Sequence, residues 1–171
     1  MTASSLEASD LVTEAVPAVF SPCLRYRYSL RRRVGLAPDN CLFIMLNPST
    51  ADANKDDPTI RRCMGFARRW GFGCLTVVNL FALRSVDPKA LALASDPVGP
   101  DNDKWICLEV MDADRIISAW GNGGQLNGRS NEVVGLIESR CGKLTQHLGL
   151  NQSGEPKHPL YIPKAQEPTL L

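Results

Sequence analysis

Three short apolar runs constrain the fold of this chain more than any other feature. They are CLFIML at residues 41–46, CLTVVNLF at 74–81 and RIISAW at 115–120. Each run is short for a buried helix and largely apolar at consecutive positions, which is typical of a strand buried on both faces of a sheet. Segments with helical spacing of apolar residues follow each run. This alternation predicts a parallel sheet covered by helices on both faces.

The residues around these runs predict the other elements. Asp57-Pro58 is typical of the cap and first residue of a helix, which would end near Gly71. Further helices are predicted at residues 89–94, 100–112 and 130–140. A strand of period two is predicted at 24–33 with its arginines on an exposed face, and another strand at 144–149. We therefore expect an α/β fold of three layers, α/β/α, with a mainly parallel four-stranded central sheet.

Length and composition limit the domain count and the compartment. A chain of 171 residues fits one domain, expected over residues 23–171, with residues 1–22 as a flexible arm. The first 20 residues lack a basic stretch, and no apolar run approaches the ~18 residues of a membrane helix. Six cysteines without a CxxC spacing predict reduced thiols and no metal site. We expect a cytoplasmic protein, and no GxGxxG or GxxxxGK[ST] motif indicates a cofactor.

Polar and aromatic side chains follow the predicted strands. Ligands of parallel α/β sheets bind beyond the carboxyl ends of the strands, so these residues are the candidate site. In chain order they are Asn47, Ser49, Asp52, Asn79, Phe81, Trp120, Asn122 and His158. A polar residue that ends an apolar strand is often only a cap or a turn former. Several such residues converging on one edge favour a ligand site.

Arginines are concentrated in two short segments, although the net charge is only +1. One group lies within residues 25–33 and includes Arg31, Arg32 and Arg33; the other lies within 61–69. Both could be solvated faces, or they could contact the phosphates of a nucleic acid or nucleotide. The predicted phosphate contacts are Arg31, Arg32, Arg33 and, after the second strand, Arg84.

Four strings together resemble a known family. FIMLNPSTAD, VVNLFALR, AWGN and HPLYIP are similar, in this order, to a bacterial and phage family called domain-of-unknown-function family 1643. The resemblance covers roughly residues 24–163 and implies no activity. The same strings have a more distant resemblance to the uracil-DNA glycosylase superfamily. MLNPS at residues 45–49 is similar to its first motif, and His158-Pro159-Leu160 to the start of its last.

The second resemblance implies an N-glycosidase acting on a base in DNA or on a nucleotide. By that resemblance Asn47 would position the water, Asn79 would read a pyrimidine edge, and His158 would donate to the leaving base. Phe81 or Trp120 could stack on the base. The missing serine after Pro159 and the lack of an obvious intercalating loop argue against repair of duplex DNA. Two alternatives stay open: a non-catalytic module that binds nucleic acid or a modified base, and a structural domain.

Overall fold

A seven-stranded mixed sheet forms the centre of the computed structural model, which describes residues 17–171. The strands are β1 (Ala18–Phe20), β2 (Arg27–Arg33), β3 (Asn40–Met45), β4 (Cys74–Asn79), β5 (Arg115–Ser118), β6 (Gln146–His147) and β7 (Thr169–Leu170). Their order across the sheet is β1-β2-β4-β3-β5-β6-β7. The four neighbours β4, β3, β5 and β6 are parallel, and the outer strands pair antiparallel. The α/β prediction is confirmed, but the predicted count of four strands is wrong.

The additional strands lie at the edges of the sheet. Residues 18–20 form β1, so the sheet begins inside the predicted arm, and residues 1–16 lie outside the described residues. The period-two segment forms β2 as predicted, although Arg27 and Ser29 on its predicted exposed face are buried. At the other end, Thr169–Leu170 pairs with β6, where the sequence predicts only loop. Edge strands are short and are held by backbone pairing, so their sequences contain little of the side-chain pattern from which a strand is predicted.

In the part of the chain that the structure describes, four helices cover the sheet. They are α1 (Pro58–Arg69), α2 (Ala90–Leu93), α3 (Asn102–Asp112) and α4 (Arg129–Leu136). The predicted start of α1 is confirmed, because Asp57 Oδ1 accepts a hydrogen bond from the Ile60 backbone N–H at 2.8 Å and Pro58 occupies the first turn. A π-helical turn, Ile137–Cys141, continues α4. Within residues 17–171, no helix is both long enough and apolar enough to cross a bilayer.

Side chains of β3 divide the core into two parts. Phe43 and Met45 pack with α1 on one face of the sheet, whereas Leu42 and Ile44 pack with α2, α3 and α4 on the other. The connection after β3 passes through α1 on the first face of the sheet, whereas the connections after β4 and β5 pass through helices on the second face. The strand order therefore reverses at β3. In open α/β sheets this reversal opens a crevice at the carboxyl ends of the strands.

Candidate ligand-binding cleft

A cleft of about 190 Å³ lies at this reversal point. Five residues that the sequence places at the carboxyl edge line it: Asn47, Ser49, Asn79, Trp120 and His158. Its volume is below the roughly 300–1,000 Å³ of pockets that hold drug-sized ligands. The cleft therefore has room for a group of about one ring, and not for a dinucleotide.

Arg27, the first residue of β2, places a buried cation in the cleft. Its side chain is 2% exposed, and no carboxylate of residues 17–171 forms an ion pair with it. Nη1 donates to the Ala51 carbonyl at 2.7 Å, whereas Nε is buried without a hydrogen-bond acceptor. Burial lowers the pKa of Arg27 from 12.5 to about 10, which leaves it charged at neutral pH. A buried, incompletely paired guanidinium is a strong site for a negative charge.

Asn79 ends β4 beside this cation. Its Oδ1 accepts a hydrogen bond from Arg27 Nη2 at 3.5 Å, and its side chain is buried at the wall of the cleft. The backbone carbonyl of Asn79 accepts from Asn102 Nδ2 at 3.0 Å, so α3 fixes the end of the strand. Because Arg27 contacts the oxygen of the amide, the Asn79 amide nitrogen is the group left to donate to a ligand.

Asn47 follows β3 and is tied to the loop beyond β4. Its Nδ2 donates to the carbonyls of Pro48 at 3.1 Å and Ser85 at 2.9 Å. These bonds use both hydrogens of the amide and join two loops across the mouth of the cleft. The Asn47 Oδ1 accepts no hydrogen bond from the described part of the chain, so its acceptor capacity is left for water or ligand.

His158 approaches the cleft from the C-terminal segment. Its Nδ1 accepts from the Leu160 backbone N–H at 3.3 Å and caps the 3₁₀ turn Pro159–Tyr161. This bond places the proton of the neutral ring on Nε2. Burial lowers the pKa of His158, and the nearby Asp57 carboxylate opposes that shift. At neutral pH the ring is therefore an uncharged donor through Nε2.

Trp120 forms the wall of the cleft next to β5. Its ring is 2% exposed, and its Nε1 donates to the Glu155 carboxylate, which also accepts from Ser130 Oγ at 2.9 Å. Gly124 allows this packing, because a Cβ there would lie 2.3 Å from Trp120 Cδ1. The predicted stacking of Trp120 on a base would thus use the part of the ring at the cleft wall.

Four other predicted residues lie outside the cleft lining. Phe81 is fully buried in the core beneath α3 and α4, so it has no free ring face for a base.

The other three residues form hydrogen bonds within and between loops. Asp52 Oδ1 accepts from the Asn54 and Lys55 backbone N–H groups, which lowers the pKa of its carboxyl. Asn122 Oδ1 accepts from Ser153 Oγ at 2.7 Å, and Arg84 donates to the Leu24 carbonyl at 3.1 Å. These side chains hold loops together.

The three predicted phosphate-binding arginines of β2 have partners within the chain. Arg31 forms ion pairs with Glu109 and Asp112 on α3, at 2.8 and 2.7 Å. Arg32 pairs with Asp56 at 2.8 Å, and Arg33 donates to the Leu36 carbonyl at 3.0 Å. A phosphate would have to displace carboxylates from Arg31 and Arg32. Both side chains are only partly exposed and are paired with acids, and phosphate contact stays a prediction.

The cleft also contains polar residues that the sequence prediction left out of the site. They are Arg27, Asp57, Thr59 and Ser85. The sequence pattern identifies Asp57 only as a helix cap and Thr59 only as a residue of the first helical turn, and Ser85 lies in a segment without a pattern. The alternation along β2 predicts a solvated face for Arg27, because it does not reveal that the start of this strand lies beside the carboxyl end of β4.

Together the fold and the cleft define an α/β protein with a polar site, containing a buried cation, at the carboxyl edge of its parallel strands. The chain belongs to the family described as Protein of unknown function (DUF1643), whose model matches residues 27–160. Searches among curated proteins and among solved structures found no match. These comparisons give no support to the more distant resemblance to the uracil-DNA glycosylase superfamily.

Proposed function

We propose that the cleft binds a nucleobase of a nucleic acid or nucleotide and hydrolyses the bond between that base and its sugar. One observation carries this proposal: the buried Arg27 guanidinium, with no ion-pair partner in residues 17–171, lines the same cleft as Asn79 and His158. A site of this kind favours negative charge on a small group that also offers a hydrogen-bonding edge. A departing base has both properties.

Charge development explains why these residue types suit the reaction. As the bond between the base nitrogen and the sugar carbon breaks, its electron pair moves to the base and positive charge grows on the sugar. Arg27 and the Nε2–H of His158 stabilise the negative charge on the departing base. The oxygen of a water molecule then bonds to the sugar carbon, and a water proton is released. The base leaves as the neutral compound after it takes up a proton.

Two further groups position the reactants. The Asn47 Oδ1 accepts a hydrogen bond from the attacking water, as the sequence resemblance implies. Asp57 keeps Oδ1 on the Ile60 N–H, and its other carboxylate oxygen takes the water proton. The Asn79 amide nitrogen donates to an acceptor on the base edge. An acceptor such as a carbonyl oxygen or an unprotonated ring nitrogen fits this donor.

The test is a search for released base. Protein is incubated with single-stranded and double-stranded oligonucleotides and with mononucleotides that together contain the common bases and a set of modified ones. Liquid chromatography with mass detection then identifies any free base. The proposal requires at least one base to be released by the parent protein and not by Arg27→Met. A panel that yields no free base, while the folded protein still binds one of its members, would replace hydrolysis with recognition.

Recognition without cleavage is the second candidate function, and the hydrogen bonds of Asn47 favour it. Its amide joins Pro48 to Ser85, which is a sufficient structural reason for an asparagine at that position. In that case Arg27 and Asn79 bind an anionic or acceptor-rich base, and no water is activated. Saturable binding that depends on Arg27, with no product, distinguishes this function from hydrolysis.

A further inference from the structure

A basic groove lies along the outer side of α1. Its volume is about 320 Å³, and it is lined by Arg61, Arg62, Gly65, Phe66, Arg69 and Lys164. Four of these six residues are cations, and none is acidic. We call this surface the α1 groove. Five of the lining residues lie on one face of the 12-residue helix α1, and Lys164 of the C-terminal segment forms the opposite side of the groove.

The cations of the α1 groove are less neutralised than Arg31 and Arg32 of β2. Arg61 donates to the Asp56 carbonyl at 2.7 Å, and Arg62 donates to the carbonyls of Pro159 and Ile162. Backbone carbonyls orient these guanidiniums without cancelling their charge. Only Arg69 has a carboxylate partner among residues 17–171, the exposed Glu167. The groove therefore presents a positive field, whereas Arg31 and Arg32 are paired with acids.

The α1 groove begins next to the cleft. Thr59 and Ile60 of α1 line the cleft, and Arg61 is the next residue along the helix. Arg62 also binds the turn that follows His158. From Arg61 to Arg69 the helix rises about 12 Å, which corresponds to three or four phosphates of a stacked strand at about 3.4 Å each.

We propose that the α1 groove binds the sugar–phosphate backbone of a single nucleic-acid strand whose base enters the cleft. This inference rests on the proposed function, and it makes a strand of several nucleotides, in place of a free nucleotide, the preferred ligand. Contacts from four cations to phosphates give affinity without sequence preference. The base edge is read in the cleft, and the groove supplies position and register.

Gly65 allows a sharp test. It is an exposed glycine inside α1, and a side chain there meets no atom within 4 Å, so Gly65→Glu adds a carboxylate to the groove without a clash. Gly135 is the matched control, since it is an exposed glycine of α4 with the same open space and lies outside both surfaces. Gly135→Glu makes the same change of charge and of helix propensity.

Binding of a fluorescent single-stranded oligonucleotide is measured by anisotropy at several salt concentrations. For the parent protein, four phosphate contacts predict a slope of log affinity against log salt of about −3. Gly65→Glu should weaken binding about fivefold or more at low salt, the effect of one unit charge at about 4 Å in water. Gly135→Glu should bind as the parent does. Equal affinities of the two variants would overturn the proposal.

A second pair of variants covers the case in which Gly65→Glu does not fold. Arg61→Gln removes a cation of the groove, and Arg68→Gln removes an exposed arginine of the same helix that lies outside it and donates to the Val34 carbonyl. Only Arg61→Gln should reduce the salt slope, by about 0.7 to 1. If Arg61→Gln reduces the salt slope but the parent protein releases no base, the groove proposal stands and the hydrolysis proposal fails. If the parent protein releases base from oligonucleotides and Gly65→Glu does so equally well, the hydrolysis proposal stands and the groove proposal fails.

Discussion

Arg27 Nη2 lies 3.5 Å from Asn79 Oδ1, so a buried cation and a buried amide share one wall of the cleft. The contact fixes the orientation of the amide, with its oxygen toward the guanidinium. It is long for a hydrogen bond to a charged donor, which is more often 2.7–2.9 Å. The cation therefore keeps much of its capacity for an anionic ligand. This pair is the basis of the first two predictions.

Replacement of Arg27 should reduce the rate of base release far more than it reduces the free energy of unfolding. Arg27→Met removes the charge and the hydrogen bond to Ala51 while it keeps an unbranched side chain in place. Loss of hydrogen bonds destabilises by about 1–3 kcal/mol, but relief of a buried, incompletely paired charge offsets this loss. We expect the free energy of unfolding to change by less than about 2 kcal/mol and base release to fall by about 100-fold or more.

Chemical denaturation and single-turnover kinetics measure these two quantities. Arg68→Met is the control, because Arg68 is exposed, lies outside the cleft lining and the α1 groove, and undergoes the same change of side chain. The control should keep the parent rate. An Arg27→Met protein that is folded and releases base at the parent rate would remove Arg27 from the mechanism.

Asn79→Asp should separate ligand recognition from folding. A carboxylate in place of the amide would pair with Arg27, so the variant should be at least as stable as the parent at neutral pH. The same ion pair neutralises the cation and replaces the Asn79 donor with an acceptor. We therefore expect at least tenfold weaker binding of the parent's preferred base, and a preference for bases that donate at that position.

Binding of a panel of bases or nucleotides, together with thermal melts, measures the effect of Asn79→Asp. Asn122→Asp provides the same chemical change at an exposed position outside the cleft, and should alter neither result. If Asn79→Asp loses stability and keeps its order of ligand preference, Asn79 is only a structural residue at the end of β4.

His158 should make stability depend on pH. Burial lowers its pKa in the folded protein, so just below the ordinary histidine value of about 6.5 the unfolded chain binds more protons than the folded one. The free energy of unfolding therefore rises with pH through this window and becomes constant about one pH unit above 6.5. His158→Gln should flatten the rise, because it removes the group whose pKa differs between the two states.

Urea denaturation at a series of pH values between 5 and 8 measures this dependence. The second histidine, His147, accepts from the Gly149 backbone N–H at 2.9 Å and remains in both proteins, so the comparison isolates His158. Identical pH profiles for the parent and His158→Gln would show that the ring is not held neutral by burial.

A structural feature of this protein is predictable from the sequence when neighbouring residues in the chain determine it, and not when a contact with a distant strand or helix does. The consecutive apolar residues of β3 and the Asp57-Pro58 start of α1 are local signals, and both predictions are confirmed. Phe81 follows the strand end in sequence, but its backbone N–H pairs with the Leu46 carbonyl and its side chain enters the core. Its position depends on the neighbouring strand, which the sequence pattern does not identify.

The same reason explains Arg27 and the arginines beside it. Alternation along β2 identifies which residues share a face, but the acids that neutralise Arg31 come from α3, about 80 residues away in sequence. The carboxyl-edge rule predicts Asn47 and Asn79 in one cleft because it follows from the topology of parallel sheets, whereas His158 reaches that cleft from the C-terminal segment. No comparable rule predicts which strand of an antiparallel edge adds a cation to that cleft.

Asn47 gives the last prediction, in which two substitutions distinguish its structural role from its chemical role. Asn47→Ala removes both donor bonds to Pro48 and Ser85, each worth about 1 kcal/mol, so we expect a loss of about 1–3 kcal/mol. Asn47→Asp retains an acceptor for water but turns a carboxylate toward two carbonyl oxygens. It should therefore be less stable than Asn47→Ala, although it is closer in shape to the parent.

Denaturation gives the order of stabilities, and single-turnover kinetics on the folded fraction gives the rates. If Asn47 holds the attacking water, Asn47→Ala should lower base release by about 100-fold beyond what unfolding explains, with substrate affinity nearly unchanged. If the amide only joins the two loops, the rate per folded molecule should stay near that of the parent. The latter result, together with an unchanged rate in His158→Gln, would leave recognition by Arg27 and Asn79 as the function of the cleft.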